Sequence, residues 1–260
     1  AAVLGAIAAI GLVLRKAMEL SERRGRFVSA VTHELRTPLT TFCLYTEMLS
    51  DGMVTDEAAR KQYLGTLKGE STRLARIVQN VLDYAGIGGV GRRTPGPAAP
   101  MAATDLIERL RPAIEQCSSR AGMTLSLECR GLDGVSVRAD PQTVERIMLN
   151  LVENAGKYAG DAADRRIHVK VDRESDKGQT LSIRVRDHGP GIPRSERRRV
   201  FQAFHRATRD AQGPKSGLGL GLALARELAR ELGGRLTLDG ATSDGAEFCL
   251  SLPCQTLTNY

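Results

Sequence analysis

Three groups of residues combine types and spacing that could do chemistry. His33 stands beside Glu34 in the run Phe27-Val28-Ser29-Ala30-Val31-Thr32-His33-Glu34-Leu35-Arg36-Thr37-Pro38-Leu39-Thr40. If Val31 and Leu35 face a helical core, His33 and Glu34 point into solvent, where an external phosphoryl donor can reach the imidazole. An unprotonated ring nitrogen can attack phosphorus, while Glu34 can hydrogen-bond the other nitrogen and take up the released proton. An exposed histidine is ordinarily an idle surface residue, so its setting must decide. Pro38 lies inside the same helical pattern, removes a backbone donor and should bend the helix just past His33, a costly feature in a purely structural bundle. The second group, Asn150, Asn154, Lys157 and Tyr158, falls at i, i+4, i+7 and i+8, one stripe of a helix that can serve one ligand. The Asn154 amide oxygen is a hard donor suited to Mg²⁺, Lys157 is a point charge for a phosphate, and Tyr158 can pack near a nucleoside. Taken alone, the stripe also admits the lesser reading of polar residues on a solvated helix face. The third group, Gly217-Leu218-Gly219-Leu220-Gly221-Leu222, opens a helix, where unpaired backbone N–H groups and the dipole favour an anion. It reads as a phosphate cradle and a lid hinge.

The first run closely resembles the H box of the sensor histidine kinases. The resemblance makes His33 the phosphoacceptor, Glu34 its acid/base partner, and Thr37 a residue that helps position water when the partner protein is dephosphorylated. Four further motifs follow in the order of that family's ATP-binding domain, the Bergerat-type fold shared with gyrase-type ATPases. Together they cover nearly all of the chain beyond residue 101. The stripe from Asn150 to Tyr158 is the first, and the glycine-rich run from Gly217 to Leu222 is the last. Asp187-His188-Gly189-Pro190-Gly191-Ile192 looks like a glycine box, which implies that Asp187 accepts from the adenine amino group. Gly189 and Gly191 would let the backbone approach the base, although Gly and Pro also punctuate ordinary turns. Val200-Phe201-Gln202-Ala203-Phe204-His205-Arg206 resembles the lid's F box, with Phe201 and Phe204 as anchors and Arg206 available to a phosphate oxygen. Related ATPases place a Glu four residues before the Mg²⁺-binding Asn. Asn150 stands there instead and has no basicity to activate water, so hydrolysis as the main activity is disfavoured. Gly156 and Ala246 stand where larger or hydroxylated residues are frequent, which touches only local packing. The implied activity is ATP- and Mg²⁺-dependent phosphorylation of His33, then transfer to an aspartate on a response-regulator receiver domain, with phosphatase action as a further option. A catalytically dead scaffold is the competing class, and no substituted motif residue supports it.

These groups need elements to hold them. Val28, Val31, Leu35, Pro38, Phe42, Tyr45 and Leu49 recur at spacings of three and four, as do Leu64, Leu67, Leu74, Val78, Val81 and Ala85, with a turn at Asp51-Gly52 between. Two such helices leave half of each seam uncovered, so the hairpin is expected to pair in a homodimeric four-helix bundle. The Gly- and Pro-rich stretch after it reads as a linker. Helices are expected near Asp105 to Ala121, Pro141 to Tyr158 and Leu220 to Leu232. Strands are expected at Thr124 to Cys129, Ile167 to Val171 and Leu181 to Arg186, with a hairpin-like stretch ending at Leu252-Pro253. Strands and helices interleave without doubly wound regularity, so an α/β sandwich follows, one mixed sheet covered by helices on one face. The expected organisation is a membrane-helix remnant at 1–14, a dimerisation and phosphoacceptor domain at 15–87, a linker at 88–101, an ATP-binding domain at 102–254 and a tail at 255–260.

Composition agrees with soluble domains, with 26% charged and 42% hydrophobic residues and only 4% aromatic ones in the 260 residues, so the cores must be aliphatic. The net charge of +7 is spread out and not interleaved with aromatic residues, which argues against nucleic acid as a partner. Arg197, Arg198 and Arg199 are the densest basic run and read either as cations over a nucleotide or as a solvated face. The five cysteines show neither metal-ligand spacing nor the density of a disulfide-stapled domain, and read as reduced. The apolar run from Ala1 to Leu14 is shorter than the about 20 residues of a full membrane span, and Arg15 and Lys16 follow it at once. It reads as the C-terminal part of a span in the cytoplasmic (inner) membrane, with the positive flank and the kinase domains in the cytoplasm.

Overall fold

The computed structural model describes residues 2–87, 99–173, 179–205, 218–239 and 245–256. The described chain divides into two compact units, one within the first 83 residues and the other comprising nearly everything after them. Most of the expected linker, residues 88–98, lies outside the described residues.

The first unit is a helical hairpin of α1 (Ala2–Ser50) and α2 (Glu57–Ile87). α1 ends at the Asp51-Gly52 turn, and the Asp56 carboxylate starts α2 by accepting from the Ala59 amide at 2.9 Å. Pro38, Leu67 and Ile77 are buried between the helices, and the Tyr45 and Tyr63 rings stack at 4.7 Å. α1 runs through Pro38 as a single helix. Ile77 is a seam residue that the apolar count passed over. Val28, Leu64 and Val78, expected on the seams, are about half exposed in the single chain, as are Leu39, Leu44 and Leu82. Two helices can cover only one side of each other, so the remaining apolar positions lie open. No helix among the described residues is long and apolar enough to cross a membrane.

The second unit is one sheet with three helices. Its elements are β1 (Met101–Ala102), α3 (Ala103–Arg120), β2 (Thr124–Arg130), β3 (Val135–Val137), α4 (Pro141–Ala159), β4 (Arg166–Arg173), β5 (Thr180–Arg186), α5 (Gly221–Glu231), β6 (Arg235–Asp239) and β7 (Glu247–Thr256). The strand order is β1-β3-β7-β5-β4-β2, with β6 also paired to β7, and every pairing is antiparallel except β2 with β4. Alternation sends Ile167, Val169 and Val171, Leu181, Ile183 and Val185, and Phe248, Leu250 and Leu252 into one core with α3, α4 and α5. The opposite face carries polar residues such as the Arg184–Asp172 pair at 2.9 Å. The mixed sheet covered on one side is the architecture expected from sequence.

Local chemistry sets the ends. Asp140 caps α4 by accepting from the Thr143 amide at 2.9 Å, and Pro141 occupies the first turn. β1 begins at Met101, inside the stretch read as linker, and β7 runs two residues past the expected boundary at 254. It continues through Pro253 because the Cys254 amide points to the β5 side, donating to Gln179 at 2.8 Å. Amides alternate along a strand, so Pro253 lacks its N–H on the other side, where β6 has ended and β3 begins.

Candidate active site

β5 delivers the chain to Asp187, which is only 6% exposed. Its Oδ1 accepts from the amides of Gly189 at 2.8 Å and Ala246 at 3.1 Å, and its own amide donates to the Ala246 carbonyl at 3.0 Å. Oδ2 carries no hydrogen bond among the described residues. Burial pushes the carboxyl above its ordinary range, against the pull of the two amides and of His188 and Arg186. One oxygen is thus fixed by backbone and the other stands open, an acceptor for a ligand N–H.

The turn that follows is packed too tightly for side chains. A Cβ on Gly189 would come within 3.0 Å of the Tyr158 carbonyl at the end of α4. Gly191 takes φ +67, and a Cβ there would meet the Gly245 carbonyl at 2.9 Å. Gly245 takes φ +107, and a Cβ on it would fall 1.8 Å from the Asp187 carbonyl. Three pieces of backbone therefore close around Asp187, and the glycines serve that approach as well as any ligand. Gly245 escaped the sequence reading, although Asp244-Gly245 is a turn signal ahead of the alternating β7 residues. Ala246 touches more than local packing, since its amide holds Asp187. Ile192 is half-buried against the same core.

On α4, Asn150, Asn154, Lys157 and Tyr158 are all half-buried. Asn150 donates through Nδ2 to the Arg146 carbonyl at 2.9 Å, and its Oδ1 sits where a Cβ on Gly221 would come to 2.9 Å. The first residue of α5 therefore rests on the α4 stripe. Asn154 makes no side-chain hydrogen bond among the described residues, so its amide oxygen is open to a hard cation. Lys157 Nζ lies 5.0 Å over the Tyr158 ring. Gly156 is explained by packing, since a Cβ there would press on the Ala121 Cβ at 2.5 Å.

α5 begins at Gly221 after the N-cap residue Leu220, and no side chain caps its first amides, which fits an anionic ligand there. Leu218 and Leu220 are buried, and Gly219 is crossed by the chain before it: the Phe204 amide donates to the Gly219 carbonyl at 3.1 Å. Phe204 takes φ +64, a strained value for a bulky residue. Phe201 meets Phe248 edge-on at 6.1 Å. Arg206 and Gly217 lie outside the described residues.

In the helical unit, His33 is on α1 and its side chain, with the expected solvent exposure, lies outside the described residues. The Glu34 carboxylate does not stand free in solvent as expected. Its side chain is only 12% exposed and pairs with Arg73 of α2 at 3.4 Å. Position 34 lies three residues after Val31 and four before Pro38, on the edge of the α2-facing seam, so a partner charge on α2 can reach it. Thr37 is exposed, and its carbonyl accepts from the Thr41 hydroxyl at 3.3 Å.

A mixed sheet with three helices on one face, a buried aspartate opening on a glycine turn and an uncapped helix start define an ATP-binding module. Residues 139–256 match the family described as histidine kinase-, DNA gyrase B- and HSP90-like ATPase, and residues 23–89 match the His kinase A (phospho-acceptor) domain. The chain belongs to the sensor histidine kinases of two-component systems. It is 30% identical over 244 residues to the sensor protein KdpD of Escherichia coli (strain K12), covering 93% of this chain and 26% of that one. It is 28% identical over 244 residues to the sensor histidine kinase GacS of Pseudomonas protegens, covering 94% and 26%. The chain thus spans about a quarter of the length of these relatives. The histidine kinase AdeS of Acinetobacter baumannii shares the fold, with a TM-score of 0.61 at 20% identity over 87% of this chain and 98% of that one.

Proposed function

We propose that the chain transfers the γ-phosphoryl group of ATP to its own His33 and then to an aspartate on a response-regulator receiver domain. The observation that carries the nucleotide half is the buried Asp187 carboxylate, with one oxygen fixed by two amides and the other open. Asp187 orients the base, Lys157 and the α5 amides take the phosphates, and Asn154 would hold Mg²⁺. A bound Mg²⁺ would offset phosphate charge during transfer. Arg206 belongs to the same reading as a phosphate-facing cation. For the acceptor half, the imidazole of His33 supplies the nucleophile, and Glu34, already held by Arg73, receives the proton. Asn150, engaged with the Arg146 carbonyl, offers no base for water. Thr37, exposed one turn beyond His33, suits a role in dephosphorylating the regulator.

The working unit is a homodimer, supported by the open apolar positions Leu64, Val78 and Leu82 of α2 and Leu39 and Leu44 of α1. The apolar run to Leu14 and the basic flank after it support anchoring at the cytoplasmic face of a membrane, tested by fractionating cells that express the chain.

The direct test is incubation with γ-labelled ATP and Mg²⁺. Acid-labile, base-stable label on the protein that disappears in His33→Gln is the expected result. Free phosphate without labelled protein would mean an ATPase, and no turnover with no nucleotide bound would mean a scaffold.

A further inference from the structure

Beside Asp187, on the polar face of the sheet, three potential ligand atoms converge that the kinase reading does not use. His168 is on β4, Asp164 precedes that strand, and His188 follows Asp187 at the end of β5. Antiparallel pairing sets His168 opposite Arg186, two residues before His188, which brings the two imidazoles together. Their Nε2 atoms are 3.1 Å apart, His188 Nε2 is 3.6 Å from Asp164 Oδ2, and all three atoms lie within 4.8 Å of one another. The rings meet edge to face, 74° apart.

We infer that Asp164, His168 and His188 form a binding site for a divalent transition-metal ion of the Zn²⁺ class. Imidazole nitrogen and carboxylate oxygen bind Zn²⁺ at about 2.0 to 2.2 Å. At such bond lengths, the separations of 3.1 and 3.6 Å correspond to ligand–metal–ligand angles of roughly 100° and 120°, which bracket the tetrahedral value. A hydrogen bond between two neutral imidazoles accounts for two of the three atoms only. The carboxylate, too far from His188 for a hydrogen bond, is the third corner. It is also already oriented: Arg166 grips it with Nε on Oδ1 at 2.9 Å and Nη2 on Oδ2 at 2.7 Å, while the Arg166 amide adds a third bond to Oδ1 at 3.0 Å. Hydrogen-bonded support of this kind fixes ligating carboxylates in metal sites. His188 and Asp164 keep 22% and 30% of their side-chain surface in solvent, so water can complete the coordination. Two nitrogen donors disfavour Mg²⁺ and Ca²⁺, which take oxygen, and separate this site from the Mg²⁺ expected at Asn154.

The inference stands apart from the phosphotransfer reading and is tested without ATP. Metal-free chain is dialysed against Zn²⁺ and, separately, titrated with Co²⁺. Expected are one tight equivalent per chain, a rise in unfolding temperature with Zn²⁺, and visible Co²⁺ bands of a tetrahedral centre without sulfur-to-metal charge transfer. His168→Asn and Asp164→Asn should each weaken binding at least tenfold and abolish the thermal shift. Asp164→Asn, before the strand, serves should the β4 variant fail to fold. No tight binding, unchanged affinity in a folded variant, or a sulfur-ligated Co²⁺ spectrum from one of the five cysteines would overturn it.

Discussion

Asp187→Asn separates the ligand-binding role of the site from its structural one. The amide oxygen of Asn can still accept from Gly189 and Ala246, which now hold Oδ1 at 2.8 and 3.1 Å, so the turn keeps its backbone anchors. The NH₂ group then takes the place of Oδ2 and presents a donor to the adenine amino group, where an acceptor stood. Losing a hydrogen bond to a charged group costs about 1.5 to 3 kcal/mol, and a donor facing a donor adds to that. About 3 kcal/mol is roughly a hundredfold in affinity. Calorimetric titration with ATP should therefore show binding weakened about a hundredfold, with the thermal unfolding transition retained. pH dependence gives a second readout. Burial raises the folded carboxyl above its ordinary value of 3.8, so the folded state holds the proton more strongly than the unfolded chain. The stability from that proton is complete below the ordinary value and is lost as pH rises through the raised one. The parent chain should show this decline and the Asn variant should not. An Asn variant that binds ATP like the parent would refute the assignment of the base pocket to Asp187.

Gly245→Ala should be among the most damaging single changes, because its methyl would sit 1.8 Å from the Asp187 carbonyl at φ +107. A loss of about 4 kcal/mol is expected, read as collapse of the ATP-binding unit's unfolding transition. Ile77→Ala removes a side chain only 6% exposed and should cost the hairpin about 2 to 4 kcal/mol, measured by denaturant unfolding. Val78→Glu, one residue on, should leave the isolated hairpin's helicity intact but shift the chain toward monomer in sedimentation, because Val78 is 48% exposed in the single chain. Arg73→Ala should cost less than about 1 kcal/mol in stability, as partly exposed ion pairs do, yet slow labelling of His33 by removing the guanidinium that orients Glu34.

Much of this was legible because period and chemistry coincide. Ile167, Val169 and Val171 alternate, and β4 follows them; Val144, Ile147, Leu151 and Ala155 repeat at helical spacing, and α4 buries that face. β1 and β3 were missed because two or three residues cannot display a period of two. Apolarity alone defines the hairpin seam in sequence, and it places Glu34 in solvent. A charged residue can lie on a seam when a charge of opposite sign crosses from the other helix, and one helix's sequence does not show Arg73 arriving. Gly245 and Ala246 were invisible for a similar reason. Their importance comes from the Asp187 carbonyl and carboxylate, 58 and 59 residues earlier in the chain.

That distance in sequence bears on how the site responds to change. Asp187, Gly189, Gly191 and Gly245 are bound to one another through backbone amides and through spaces no Cβ can enter, so base recognition and the meeting of β5 with β7 are one piece of structure. A substitution at the glycines should lower stability and nucleotide affinity together. A substitution at Asn154 or Lys157, half-buried on the α4 stripe, should lower affinity alone. Affinity plotted against unfolding temperature for the two sets of variants would then fall on two different lines. A single line through both would mean that the α4 stripe holds the fold together rather than the ligand.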